Sequence, residues 1–265
     1  MFEMGTPPNK TMDDDFNRVL KLLKDRTNFA FSRFSDGELY MIMNEAIVMA
    51  SDHIILHGQK HVGRHSPDDC KVFDPELHQN TRNLITKAFQ YVSPGYIKGI
   101  CCHCCVGQEN YDQQWRYIEY KPEELTWSNL LINSNYPRYV EEMVGGVFRE
   151  REINLVCTKF GDISEMPFKV KKDWRIGPNA MNEDQDIIGE ISDYIEENNI
   201  VNEIFLFAAS SLSNIAIKYL WEHLPNNTYI DVGSSLNLWI KGIAINRDYL
   251  QRFYNGIPQS RSCIW

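Results

Sequence analysis

The sequence predicts an α/β chain built on a doubly wound, mostly parallel sheet with helices on both faces. Short apolar runs at 27–34, 95–105, 153–159, 203–209 and 228–233 alternate with segments of helical period. The connections are short, and strands joined through helices pair in parallel. The runs also end in small or polar residues, at 33–38, 101–109, 160–162, 209–214 and 231–235. An open parallel sheet gathers its ligand at such strand ends.

The 265 residues suit one domain, 1–265, with residues 1–14 as a flexible leader and 240–265 as an irregular, aromatic-rich extension. A hydrophobic content of 43% with 24% charged residues excludes extensive disorder. The net charge of -9, with no dense Lys/Arg run, argues against nucleic acid as a partner. Residues 1–16 lack the basic and apolar halves of a signal peptide, and no apolar run approaches the roughly 20 residues of a membrane span. Seven cysteines, an odd number with two adjacent pairs, do not read as a secreted disulfide framework. A cytoplasmic protein with reduced thiols is the expectation.

Phe16, Val19, Leu20, Leu22 and Leu23 predict a first helix over 16–23, and 27–34 a first strand. Leu39, Ile42, Met43, Ala46 and Ile47 predict a helix over 39–50. His53, His57, His61 and His65 then recur every fourth residue, but Gly58 and Gly63 oppose a continuous helix. A loop with solvated or substrate-facing histidines is expected there rather than a metal site. A helix follows over 75–91, from Leu77, Leu84, Ile85, Ala88 and Phe89.

The strand over 95–105 carries Cys101, Cys102, His103, Cys104 and Cys105. Strand alternation would put Cys101, His103 and Cys105 on one face and Cys102 and Cys104 on the other, which disfavours zinc. The cysteines then read as small buried hydrophobes. Asn129, Asn133 and Asn135 surround an apolar centre, where they can bind sugar hydroxyls or serve turns and caps. A helix over 137–149, strands over 153–159 and 169–176, a turn at 177–179 and a helix over 184–198 follow. The strand from 203 leads to a helix over 215–224, and 228–233 is the last strand.

The chemistry concentrates in Arg33, Phe34, Ser35, Asp36, Gly37 and Glu38. Ser-x-x-Glu is a capping-box pattern, in which Glu38 reaches back to the Ser35 N–H. Alternatively, Asp36 and Glu38 in an extended turn point the same way and share Mg or Mn, which bridges phosphate oxygens. Gly37 would let backbone approach the ligand, and Arg33 would pair with phosphate. No dinucleotide fingerprint, P-loop, nucleophile elbow or H-E-x-x-H motif occurs.

These six residues resemble the Arg-Phe-Gly-Asp-Gly-Glu signature of the GT-D glycosyltransferases, a family first catalogued as a domain of unknown function and related to bacterial adhesin glycosylation. Residues 99–105, 127–135 and 228–237 resemble further segments in the same order, so the likeness spans roughly 27–240. It implies a Rossmann-like fold, a metal-dependent glycosyltransferase of hexosyltransferase type, a UDP-sugar donor and a glycan or glycoprotein acceptor. Asp36 and Glu38 match the Asp-x-Glu metal motif, while Ser35 departs from the usual glycine.

Inverting transfer needs a base for the acceptor hydroxyl. Asp231 is the first candidate, with His57 and Glu109 behind it. Ser211 and Asn214 are candidates for phosphate or ribose, with helix capping as their other reading, and Ser234 stands at the last strand end. Trp115, Tyr117, Trp239 and Trp265 can stack on sugars or fill the core. The competing functions are a non-catalytic nucleotide-sugar-binding module and an α/β hydrolase or methyltransferase-like enzyme.

Overall fold

The structure, a computed structural model, describes residues 12–56, 58–62, 70–240, 242, 245 and 247–259. Its strands are β1 (Ala30–Arg33), β2 (Ile47–Met49), β3 (His53–Leu56), β4 (Gln59–Val62), β5 (Lys71–Phe73), β6 (Tyr96–Ile100), β7 (Leu125–Trp127), β8 (Glu152–Thr158), β9 (Lys169–Ile176), β10 (Ile204–Phe207) and β11 (Thr228–Asp231). The α-helices are α1 (Met12–Lys24), α2 (Asp36–Ile42), α3 (Gln79–Gln90), α4 (His103–Val106), α5 (Gln108–Gln114), α6 (Tyr136–Arg138), α7 (Ala180–Glu183), α8 (Ile187–Glu197), α9 (Leu212–His223) and α10 (Asp248–Tyr254).

β1, β6, β10 and β11 are buried along their whole length, as strands covered on both faces must be. They form the middle of a seven-stranded sheet of order β7-β6-β1-β11-β10-β8-β9, in which every pairing is parallel. The expected doubly wound α/β fold is therefore present. The chain builds β6 and β7 outward from β1 and returns from the other side to β11. The two halves meet where β1 pairs with β11, the switch point at which such sheets open a crevice. Helix α9 packs on β1 and β11, with α3 and α8 against it.

Several expectations need correction. Residues 12–14 belong to α1, whose acidic first turn suits a positive helix end. Its Asp15 is buried, accepting from Thr126 Oγ1 at 2.7 Å and pairing with Arg18 at 3.2 Å. The helix expected over 39–50 stops at Ile42, because Asn44 turns left-handed (φ 66°) and the chain enters β2.

Residues expected to be a loop form β3 and β4, within a second, antiparallel sheet of order β4-β3-β2-β5 inserted between α2 and α3. Its strands span only three or four residues, too few for periodicity to reveal. His53 pairs with Asp52 at 2.7 Å, and His61 lies opposite Ile54 on the neighbouring strand. His57 and His65 lie outside the described residues.

β6 ends at Ile100 and the chain turns helical from His103, so strand alternation does not govern the cysteines. Cys101 and Cys102 are buried as expected, whereas Cys104 and Cys105 are exposed. The segment expected as a helix over 137–149 runs through α6 into a π-helix, Tyr139–Val147. The extension from 240 contains α10, whose Tyr249 and Leu250 join the core.

Candidate active site

A cavity of about 430 Å³ opens at the carboxyl edge of the parallel sheet. All seven strands reach it, through Arg33, Cys101, Ser128, Thr158, Ile176, Ala208 and Asp231 or their immediate neighbours. The second sheet adds Cys70 and Lys71, and the C-terminal segment adds Arg247, Asp248 and Tyr249. Of the five expected strand-end segments, 160–162 does not reach the wall; Thr158 takes its place.

Arg33 and Asp231 end the two central strands. Asp231 is buried, and its Oδ1 accepts the Gly233 N–H at 2.9 Å while its Oδ2 accepts the Arg33 N–H at 3.3 Å. Burial pushes its pKa up to about 7, and nearby Glu38 adds to the rise, against the opposing pull of Arg33 and the two N–H donors. Arg33 is itself buried, with Nε donating to the Ser128 carbonyl. Gly233 is left-handed (φ 51°), and a Cβ there would run into Arg33 Nη1. That glycine is required both by its backbone and by the space Arg33 fills.

Ser35, Asp36, Gly37 and Glu38 all line the cavity, but not as an extended turn. Asp36 and Glu38 are the first and third residues of α2, and positions two apart on a helix leave in different directions. Asp36 is exposed, with Oδ1 accepting the Gly37 N–H at 3.0 Å. Glu38 is buried: Oε2 accepts the Ser35 N–H at 2.9 Å, as the capping reading expects, and Oε1 accepts from Ser211 Oγ. One lone pair on each Glu38 oxygen remains beyond these bonds.

Asn133 and Ser234 also line the cavity, and Ser234 Oγ lies 2.8 Å from Tyr249 OH. Asn135, Ser211 and Asn214 do not reach the wall. Asn135 is buried and donates to the Leu130 carbonyl at 3.0 Å. Asn214 donates to Ser32 Oγ at 3.1 Å and to the Arg33 carbonyl at 2.8 Å, pinning the end of β1. Ser211 precedes α9 without capping it; its hydroxyl holds Glu38 instead. Ser211 and Asn214 thus bond to the wall residues Glu38 and Arg33 from behind, while Asn135 braces its own turn.

Glu109 lies exposed on α5, away from the wall, and His57 lies outside the described residues. Trp115, Tyr117 and Trp239 are half-buried against the core, so the packing reading describes them, while Trp265 lies outside the described residues.

Sequence reasoning missed Lys71, Ser210 and Arg247. Lys71 Nζ donates to Ser210 Oγ at 3.1 Å and would touch a Cβ added at Gly37, so it stands over the α2 turn. Ser210 is left-handed (φ 50°), as are Asn133 (φ 54°) and Asn179 (φ 58°), all three in the cavity wall. Asparagine tolerates this conformation readily and serine less so, and strain of this kind gathers at functional sites.

Three solved structures share this architecture over 93% of the chain. One is described as domain of unknown function 1792, with a TM-score of 0.57, 12% identity and 83% of that chain covered. Another is described as a new glycosyltransferase of the same domain from Streptococcus sanguinis, with a TM-score of 0.59, 11% identity and 86% coverage. This chain has the DUF1792 fold. A third structure of DUF1792, described as having a distinct glycosyltransferase fold, matches with a TM-score of 0.51, 12% identity and 83% coverage. No protein-family model and no curated protein matches the sequence. In this chain the switch-point crevice lies between β1 and β11, where Arg33 and Asp231 meet. Among the described residues no helix is long and apolar enough to cross a membrane.

Proposed function

We propose that the chain is a metal-dependent glycosyltransferase that moves a sugar from a UDP-sugar to a glycan or glycosylated acceptor. The observation that carries this reading is the meeting of cations and carboxylates in one crevice: Arg33 and Lys71 beside Asp36, Glu38 and Asp231, at the switch point of the DUF1792 fold. Glycosyl transfer separates charge, with a diphosphate leaving and positive charge growing at the anomeric carbon. Arg33, held by Ser128, and Lys71, held by Ser210, would meet the diphosphate.

The crevice suits a divalent cation chemically. Its carboxylates are hard oxygen donors of the kind Mg and Mn take. Asp36, exposed at the mouth, is the residue that would hold Mn or Mg first; Glu38, which leaves α2 in a different direction, would join it only through the lone pairs its hydrogen bonds leave open. The ion would supply charge stabilisation to the leaving diphosphate. Asp231, with a pKa near 7, is tuned to take the acceptor hydroxyl's proton near neutral pH.

A non-catalytic nucleotide-sugar-binding module is the second reading, favoured by the two hydrogen bonds that occupy Glu38. Titration calorimetry of UDP into the full chain, with and without Mn, tests the donor assignment. Metal-dependent UDP binding that weakens in Asp36→Ala is the expected result. Absence of UDP binding under both conditions would overturn both nucleotide-sugar readings.

A further inference from the structure

Where β6 gives way to α4, three thiols converge. The Sγ atoms of Cys102, Cys104 and Cys105 lie within 4.8 Å of one another, and Cys102 and Cys104 are 3.0 Å apart. Behind them, the buried Asn129 directs its Nδ2 at Cys102 Sγ (3.8 Å) and Cys105 Sγ (3.9 Å). The neighbouring Cys101 is turned away, its thiol donating to the Phe34 carbonyl at 3.4 Å. Cys105 and Asn129 both line the cavity, so the thiol cluster forms part of its wall.

We propose that Cys102, Cys104 and Cys105 form a three-thiolate site for a thiophilic divalent cation of the zinc type, separate from the carboxylates of the α2 turn. Zinc bonds thiolate sulfur at about 2.3 Å in tetrahedral geometry, which sets its sulfur ligands about 3.8 Å apart. The observed cluster is on that scale: the Cys102–Cys104 pair has to open from 3.0 Å, and the widest pair, within 4.8 Å, has to close by at most about 1 Å. That movement is accessible because Cys104 is exposed on a single helical turn. Thiolate sulfur selects soft or borderline ions over Mg and Mn, so the two sites sort their metals by donor type.

Asn129 serves as the outer-shell donor: N–H groups aimed at two sulfurs stabilise their thiolate form and hold their direction. Three protein ligands leave the fourth position for solvent or a substrate atom, as in zinc sites that are not purely structural. Binding releases the three thiol protons to solvent and changes no oxidation state.

The test uses the reduced, chelator-stripped full chain titrated with Co²⁺, whose thiolate complexes show strong sulfur-to-cobalt charge-transfer absorption. The expected result is one equivalent of Co²⁺ with that absorption, displaced by one equivalent of Zn²⁺. The absorption is lost in the Cys104→Ser/Cys105→Ser double variant, which alters only exposed side chains, and persists in Asp36→Asn. Asn129→Ala should weaken binding about 10-fold or more. Circular dichroism separates loss of the site from loss of the fold. The proposal is overturned if the folded wild type binds Co²⁺ without charge-transfer absorption or fails to bind it. Absorption that survives in the folded double variant would overturn it equally. None of these outcomes depends on glycosyl transfer or UDP binding.

Discussion

Asp231→Asn is expected to flatten the pH dependence of stability through the mildly acidic range. The folded protein holds this carboxyl at about 7, against 3.8 for an unperturbed aspartate. Between those values the folded state binds a proton that the unfolded state has released, so stability falls as pH rises through the window. At about 1.4 kcal/mol for each pH unit, the full effect is about 4 kcal/mol, with roughly 2.5 kcal/mol of it between about pH 5 and pH 8. Asparagine also places an amide N–H against the Arg33 N–H, a cost of about 1–3 kcal/mol that does not vary with pH. The slope, rather than the absolute stability, therefore carries the information. Urea unfolding of both proteins in metal-free buffer at several pH values measures it. Wild type should lose stability across the window relative to the variant. Parallel curves would show that Asp231 titrates as an ordinary surface carboxylate, and would remove it as a base tuned to neutral pH.

Lys98 should act in the opposite direction and in a different window: burial lowers its pKa from 10.5 to about 7, so its contribution rises with pH between those values and vanishes in Lys98→Met, read by the same unfolding assay. Gly99→Ala would place a Cβ 2.9 Å from Ser128 Cα and 3.0 Å from the Trp127 carbonyl oxygen, so a loss of about 1–3 kcal/mol is expected in urea unfolding. Ser211→Ala removes the hydroxyl that holds Glu38; Mn-dependent UDP affinity should fall while the circular dichroism spectrum stays native. Lys71→Ala should weaken UDP binding about 10-fold, or about 1.4 kcal/mol, in calorimetry, and an unchanged affinity would remove Lys71 from the site.

The parallel sheet was legible because its central strands are buried on both faces and read as apolar runs. The turn from β1 into α2 was legible for a similar reason: Arg33, Ser35, Asp36 and Glu38 are contiguous, and both the capping pattern and the pair of carboxylates can be read from spacing. Spacing could not show that Asp36 and Glu38 lie within the helix, because an extended turn and a first helical turn carry the same letters. The second sheet was hidden by strands of three or four residues, which helix and strand periods fit equally well. Lys71 was hidden with it: its partner Ser210 is 139 residues away, and only the packing of one sheet beside the other brings them together.

The cysteines show the same limit from the opposite side. A strand continuing to Cys105 would have separated the sulfurs onto two faces, but the turn after Ile100 gathers three of them. Ser211 and Asn214 were read as phosphate or ribose contacts or as helix caps, yet their side chains bond to Glu38 and to the end of β1 rather than lining the cavity. Side-chain direction at a strand-to-helix junction depends on tertiary partners that no local pattern contains.

UDP release during incubation with a panel of UDP-sugars, Mn and suitable acceptors tests the central claim most directly. Release that requires the metal, stops on chelation and is lost in folded Asp36→Ala and Glu38→Ala is the expected result. UDP release that persists unchanged under chelation and in both variants would contradict the account.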